Sequence, residues 1–209
     1  MIYVDPPMDL GDTLKGTDDD GNLINSQWEG SIFSFPDVDR KASSIRGGKK
    51  RRSGQTVRAV CVRNTSGGAL TVAGLALKFD LTPTTSVSSQ STAETAGREI
   101  IGRVDAVSDG ANKWCGIGDD QLTGTVASND LFWLVVSGPV VAKLAASATI
   151  AHGDILVSAA SGYLAEASSA GDAIVNVVGR ALQKSDATNF DGTASSAGDS
   201  VLIQACVQV

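Results

Sequence analysis

The sequence predicts an all-β protein, a β-barrel or β-sandwich body preceded by an extended N-terminal arm, and three observations carry that reading. Runs rich in Val, Ile and Leu recur at short intervals, separated by the Gly, Ser, Asn and Asp that punctuate strands. Aromatic residues are only 5% of the chain while Gly numbers 23, so the core must be aliphatic and the turns glycine-rich. One passage is also written twice, the mark of a duplicated structural unit.

In the first copy, the run 57–63 leads into 69–77, which contains Gly74, and then into Ile100-Ile101-Gly102-Arg103-Val104. In the second, 131–136 leads into 148–157, which contains Gly153, and then into Val177-Val178-Gly179-Arg180. Gly74 to Gly102 is 28 positions and Gly153 to Gly179 is 26, so the expected matches are Gly74 with Gly153 and Gly102 with Gly179. Arg103 and Arg180 each follow a glycine and are expected at equivalent places, holding a loop carbonyl or carboxylate. The closing run 200–209 has the pattern of the opening strand of a third copy.

Along the chain, residues 1–26 carry Pro, Gly and Asp without a helical or strand period, which predicts an arm that orders against another surface and is dispensable for folding. A strand over 27–35 is ended by Pro36, and 37–54 is a long basic loop. Strands follow at 55–63, 69–79, 98–107, 131–143, 154–158, 173–182 and 200–209, with a Ser/Thr-rich link at 82–97 and a short helix around Trp114 to Leu122. The division is therefore 1–54 for the arm with its strand and basic loop, and 55–209 for the body. Within the body the units lie at about 55–109 and 131–186, and the closing strand at 200–209. A chain of 209 residues buries enough core as one domain with an arm or as two compact halves.

The net charge of -6 conceals a sharp zoning. Residues 1–39 hold nine acids and one base, Lys15, whereas 40–63 hold nine bases and no acid. The dense part of the basic zone is Arg40, Lys41, Arg46, Lys49, Lys50, Arg51 and Arg52. It has no interleaved aromatics to stack bases, and the whole chain has a pI near 4.7, so nucleic acid is a poor partner. A protein surface bearing carboxylates fits better, with arginines making forked contacts; the alternative is a solvated loop. No run of 18 apolar residues exists and the amino terminus lacks a signal-peptide pattern, which predicts a soluble protein with no membrane partner, made in the cytoplasm.

Candidate chemistry is sparse. Cys61, Cys115 and Cys206 form no CxxC and are odd in number, which argues against a disulfide framework or a zinc site. His152 is the only histidine, with no GxSxG elbow or nearby cysteine, and reads as an extra turn residue. Asp18-Asp19-Asp20-Gly21-Asn22 suggests calcium, but aligning Gly21 with the sixth position of an EF-hand loop puts Gly16 first and Gln27 twelfth, so an Asp-rich turn is expected. Gly116-Ile117-Gly118-Asp119-Asp120-Gln121 lacks the third glycine of a dinucleotide fingerprint. These readings predict a non-enzymatic protein without metal or cofactor.

The stretch Ile32-Phe33-Ser34-Phe35-Pro36-Asp37-Val38-Asp39, the basic loop, and then residues 53–67 resemble small structural proteins encoded beside the major capsid protein in tailed bacteriophages. The later pattern, Gly153-Asp154-Ile155-Leu156-Val157, Gly162-Tyr163-Leu164, Val177-Val178-Gly179-Arg180-Ala181-Leu182 and Val201-Leu202-Ile203, is similar to head decoration or cement proteins. The resemblance implies a virion protein on the outer surface of the capsid that binds the major capsid protein as a homo-oligomer, a trimer by analogy. The seven basic residues named above would then be the capsid contact. The alternative is a tail or fibre component with a carbohydrate-binding surface, which exposed aromatics would favour.

Overall fold

Alternation of side chains decides the core. In the run 131–136, Phe132, Leu134 and Val136 face one apolar cluster while Leu131, Trp133 and Val135 face another, so both sides of one strand are buried. The computed structural model describes residues 5–39, 50–80, 102–107, 115–146, 148–167, 177–182, 185–186 and 200–206. The protein is all-β. Its strands are β1 (Ile32–Asp39), β2 (Lys50–Asn64), β3 (Leu70–Thr71), β4 (Ala76–Phe79), β5 (Arg103–Val107), β6 (Cys115–Gly118) and β7 (Thr125–Val126). They continue with β8 (Leu131–Lys143), β9 (Thr149–Ile150), β10 (Ile155–Ser158), β11 (Leu164–Glu166), β12 (Val177–Ala181), β13 (Ser185–Asp186) and β14 (Ser200–Cys206). Helix among the described residues is limited to the 3-10 turns Ser26–Trp28 and Ala160–Gly162.

Five strands close a first barrel. β2 pairs with β5 in parallel, and the ring continues β5–β4–β6–β8 and back to β2 through antiparallel ladders. Its interior holds Val60, Val62, Leu77, Val104, Phe132, Leu134 and Val136. A second ring runs β8–β14–β12–β10–β11, all antiparallel, and returns to the end of β8 through a parallel bridge from Leu164 to Leu144. Val140, Ala142, Leu144, Leu156, Leu164, Val201, Ile203 and Ala205 belong to the cluster that fills it. β8 serves both rings, pairing with β2 over Leu131 to Ser137 and with β14 over Ser137 to Lys143. At about 3.3 Å per residue this shared strand spans roughly 43 Å.

The pairings repeat bond for bond. In the first barrel the turn Val72–Leu75 is closed by Leu75 N donating to Val72 O, and in the second the turn Ala151–Asp154 is closed by Asp154 N donating to Ala151 O. Gly74 and Gly153 occupy the same turn position with φ of 71° and 93°, where a residue with a Cβ is strained. Gly74 N donates to Gly118 O and Gly118 N to Leu75 O, just as Gly153 N donates to Ala181 O and Ala181 N to Asp154 O. Likewise Thr65 N donates to Val104 O and Ala145 N to Leu164 O, both at 2.8 Å. β14 stands against β8 as β8 stands against β2.

This bonding corrects one expected match. Gly179 lies opposite Leu156, and the residue opposite the equivalent Leu77 on the corresponding strand is Gly116, not Gly102. Arg180 therefore corresponds to Ile117, not to Arg103. The shared Gly-Arg string matched letters, whereas the backbone role belongs to a glycine further along the chain.

Three further expectations change. β1 runs through Pro36 to Asp39, since an edge strand tolerates a missing N–H and the ladder shifts register between Pro36 and Val38. Residues 115–118 form β6 instead of a helix, with two glycines where strands approach closely, and Leu122 N closes a turn on Asp119 O. The boundary between 54 and 55 falls inside β2, which begins at Lys50, so the basic stretch is partly strand.

Candidate functional site

β1 and β2 form a ribbon whose ladder continues past the barrel wall. β8 meets β2 only from Arg58 onward, whereas β1 pairs with β2 as far as Val38 opposite Arg51 and Asp39 opposite Lys50. The residues that join β1 to β2 there, 40–49, include four bases and no acid. Of the predicted contact residues, Lys50, Arg51 and Arg52 lie on β2, while Arg40, Lys41, Arg46 and Lys49 lie outside the described residues. The ribbon is held to the body by Phe35, buried with its ring 5.0 Å from that of Trp133 in an edge-on contact, and, next to its far end, by Gln121 Nε2 donating to Val38 O at 3.0 Å.

The acidic segment before the ribbon is built into the body, which corrects its expected independence. Met8 and Leu10 are buried, Leu14 bridges to Leu131, and Trp133 Nε1 donates to Met8 O. Carboxylates of the body receive the segment's amides: Asp119 Oδ2 accepts from Gly11 N and Asp130 Oδ1 from Gly16 N.

The lock is Arg63, whose side chain is only 1% exposed. Its Nε donates to Glu29 Oε1 at 2.5 Å, one terminal nitrogen to Gly16 O and Asn129 O, and the other to Ile24 O and Ser26 Oγ. All five guanidinium N–H groups are therefore satisfied, four of them by or through residues 16–29. Arg103 Nε donates to the other Glu29 oxygen at 3.1 Å, so one buried carboxylate sits between two arginines. Sequence reasoning passed over Glu29 and Arg63; the available signal was an arginine closing the otherwise apolar run Val60-Cys61-Val62.

The remaining motifs are structural. His152 is an exposed turn residue aligned with Ala73. Asp18 accepts from Asn22 N, Asn22 Nδ2 and Asp20 N, and these bonds hold its carboxyl below the usual range in an Asp turn. Burial, with the Glu29 charge adding to it, pushes the Cys61 thiol up to about 12. Phe35 and Trp133 are buried in the core cluster, and the half-buried Trp28 and Phe33 pack against it through tilted and edge-on ring contacts. A cleft of about 500 Å³ between the N-terminal segment and residues 122–125 has no aromatic lining.

No family model matches the chain, and no curated protein matches it. Among solved structures, the chain is similar to the head fiber gp8.5 N base of bacteriophage phi29, with 16% identity over 72% of this chain and 96% of that chain. The TM-score is 0.38, a likeness too slight to carry an argument about fold or function.

Proposed function

We propose that this protein is a non-enzymatic virion component that decorates the outer surface of a tailed-phage head and cements major capsid protein subunits, acting as a homo-oligomer. The observation that carries the reading is the β1–β2 ribbon, which is held to the body by Phe35 and joined at its far end by a basic, acid-free connection. A rigid two-barrel body with a charged ribbon suits a protein that must hold neighbouring subunits at fixed spacing. Carboxylates on the capsid surface would make the seven bases favourable at the interface and render attachment salt-sensitive. The sequence resemblance to decoration proteins supports the same reading; the alternative remains a tail or fibre component with a carbohydrate-binding surface.

The test compares wild type with a variant in which Lys49, Lys50, Arg51 and Arg52 are all Gln, measuring binding to purified expanded heads across a salt series. Weaker attachment with a shallower salt slope is expected, at unchanged thermal stability because a run of like charges contributes little to folding. Unaltered affinity and slope would remove the ribbon from the interface, and loss of affinity for naked DNA alone would shift the partner to nucleic acid.

A further inference from the structure

β1 is the last strand of the ten-stranded sheet, and its outer edge is open. Cys61 N donates to Ser31 O and Gly30 N to Cys61 O, so by alternation Phe33 and Phe35 turn their main-chain groups to β2 while Ile32 and Ser34 turn theirs away. Among the described residues, nothing bonds to those outward groups. The side chains there are accessible too: Ile32 is 43% exposed, one of two exposed large apolar residues among those described, and Ser34 and Pro36 are exposed. Edge strands are ordinarily blunted by charge, yet residues 30–36 carry none. The open window is short. Pro36 has no N–H to offer, and Gln121 already holds Val38 O.

We propose that this edge pairs with the same edge of a second copy, antiparallel and about a two-fold axis at Phe33. That register sets Ile32 opposite Ser34 of the second copy in both directions, so the N–H and C=O groups of both residues are bonded in each chain. A slide of two residues loses this, because Pro36 then faces Ile32 and leaves its carbonyl without a donor. The two exposed Ile32 side chains fall diagonally on one face and cover each other. No charge within 30–36 opposes the approach. The pairing is small, so the association is reversible and concentration-dependent. The inference names an interface for the self-association proposed above and rests on that part of the reading alone.

The test is sedimentation of the full-length protein over a concentration series, beside Ile32→Lys and Ser34→Pro. The wild type should pass from monomer to dimer, and each variant should raise the midpoint roughly tenfold or more, Ile32→Lys with unchanged unfolding because its side chain is exposed. Register is read by cross-linking in a Cys206→Ser background, which removes the exposed thiol. There a mixture of Ile32→Cys and Ser34→Cys proteins should oxidise to a mixed dimer faster than either protein alone. A wild type that stays monomeric at every concentration, a trimer, or a dimer that neither variant weakens would overturn the proposal. So would Ser34→Cys protein that links to itself as readily as to Ile32→Cys. Self-association is read on the isolated protein and capsid attachment on purified heads, so failure of one is distinguishable from failure of the other.

Discussion

The two barrels share a backbone plan but end differently, and the contrast separates what duplication fixes from what each end needs. The interior positions correspond: Val60 and Val62 with Val140 and Ala142, Leu77 with Leu156, Val104 with Leu164, and Leu134 with Ile203. The ends do not. At the first, residues 5–39 wrap the barrel and surround a buried Arg63–Glu29–Arg103 cluster. At the second, among the described residues, the turn Ala151–Asp154 receives the exposed Arg180, which donates to Gly153 O. A repeated unit cannot bury both of its ends, so the terminal faces must be capped by something outside the repeat.

The largest effect should come from breaking the capped end. Arg63→Met leaves Glu29 with one arginine and strands carbonyls of Ile24 and Asn129, which should cost about 3–5 kcal/mol in denaturant unfolding. Removing residues 1–26 should cost more, because Met8 and Leu10 leave the core and Trp133 loses its partner; recovery of a stable truncated body would contradict the account. Next come the matched interiors. Leu134→Ala and Ile203→Ala should each cost about 2–5 kcal/mol, since both side chains are fully buried at corresponding positions. A negligible cost at Ile203 would mean that the second barrel is not a packed core.

The turns should separate the two barrels more finely. Gly153→Ala pays only for the left-handed backbone, about 1–2 kcal/mol, while Gly74→Ala adds the collision with Val141 O and should cost measurably more. Equal costs would show that the strand is not seated on the first turn. The last effect, absent at neutral pH, concerns Cys61. Its thiol stays neutral in the folded protein up to about 12 but ionises near the ordinary 9.0 once unfolded. The contribution is complete below pH 9 and is lost as pH rises towards 12, at about 1.4 kcal/mol per pH unit. Cys61→Ala should remove that slope.

Much of this plan could be read from residues alone, for definable reasons. Gly74 and Gly153 were recognisable because a turn glycine before an apolar strand is forced by backbone geometry, so its pattern survives divergence around it. Gly116 escaped because a glycine that merely makes room between strands carries no local signature; only the pairing with Leu77 identifies it. Pro36 was read as a stop because the sequence does not say which strand is an edge. The N-terminal segment was misread for a related reason: it is held by single side chains far away in sequence, Arg63, Asp119 and Asp130, and shows no period of its own. Of the candidate contact, the charge was evident in the letters, whereas its position at the end of a ribbon required the register of β1 on β2.

The central claim is that the chain forms two closed barrels of the same design, and the second is closed by a single parallel bridge beside Leu144. Amide hydrogen exchange at two matched pairs tests it most directly: Thr65 with Ala145, whose N–H groups close the rings, and Gly118 with Ala181, which hold the turns. The account predicts strong protection at all four, with Ala145 and Ala181 slowed to within about tenfold of their partners. Exchange of Ala145 and Ala181 at the rate of an unstructured chain, beside protected Thr65 and Gly118, would show one barrel and an open sheet, and would contradict the account.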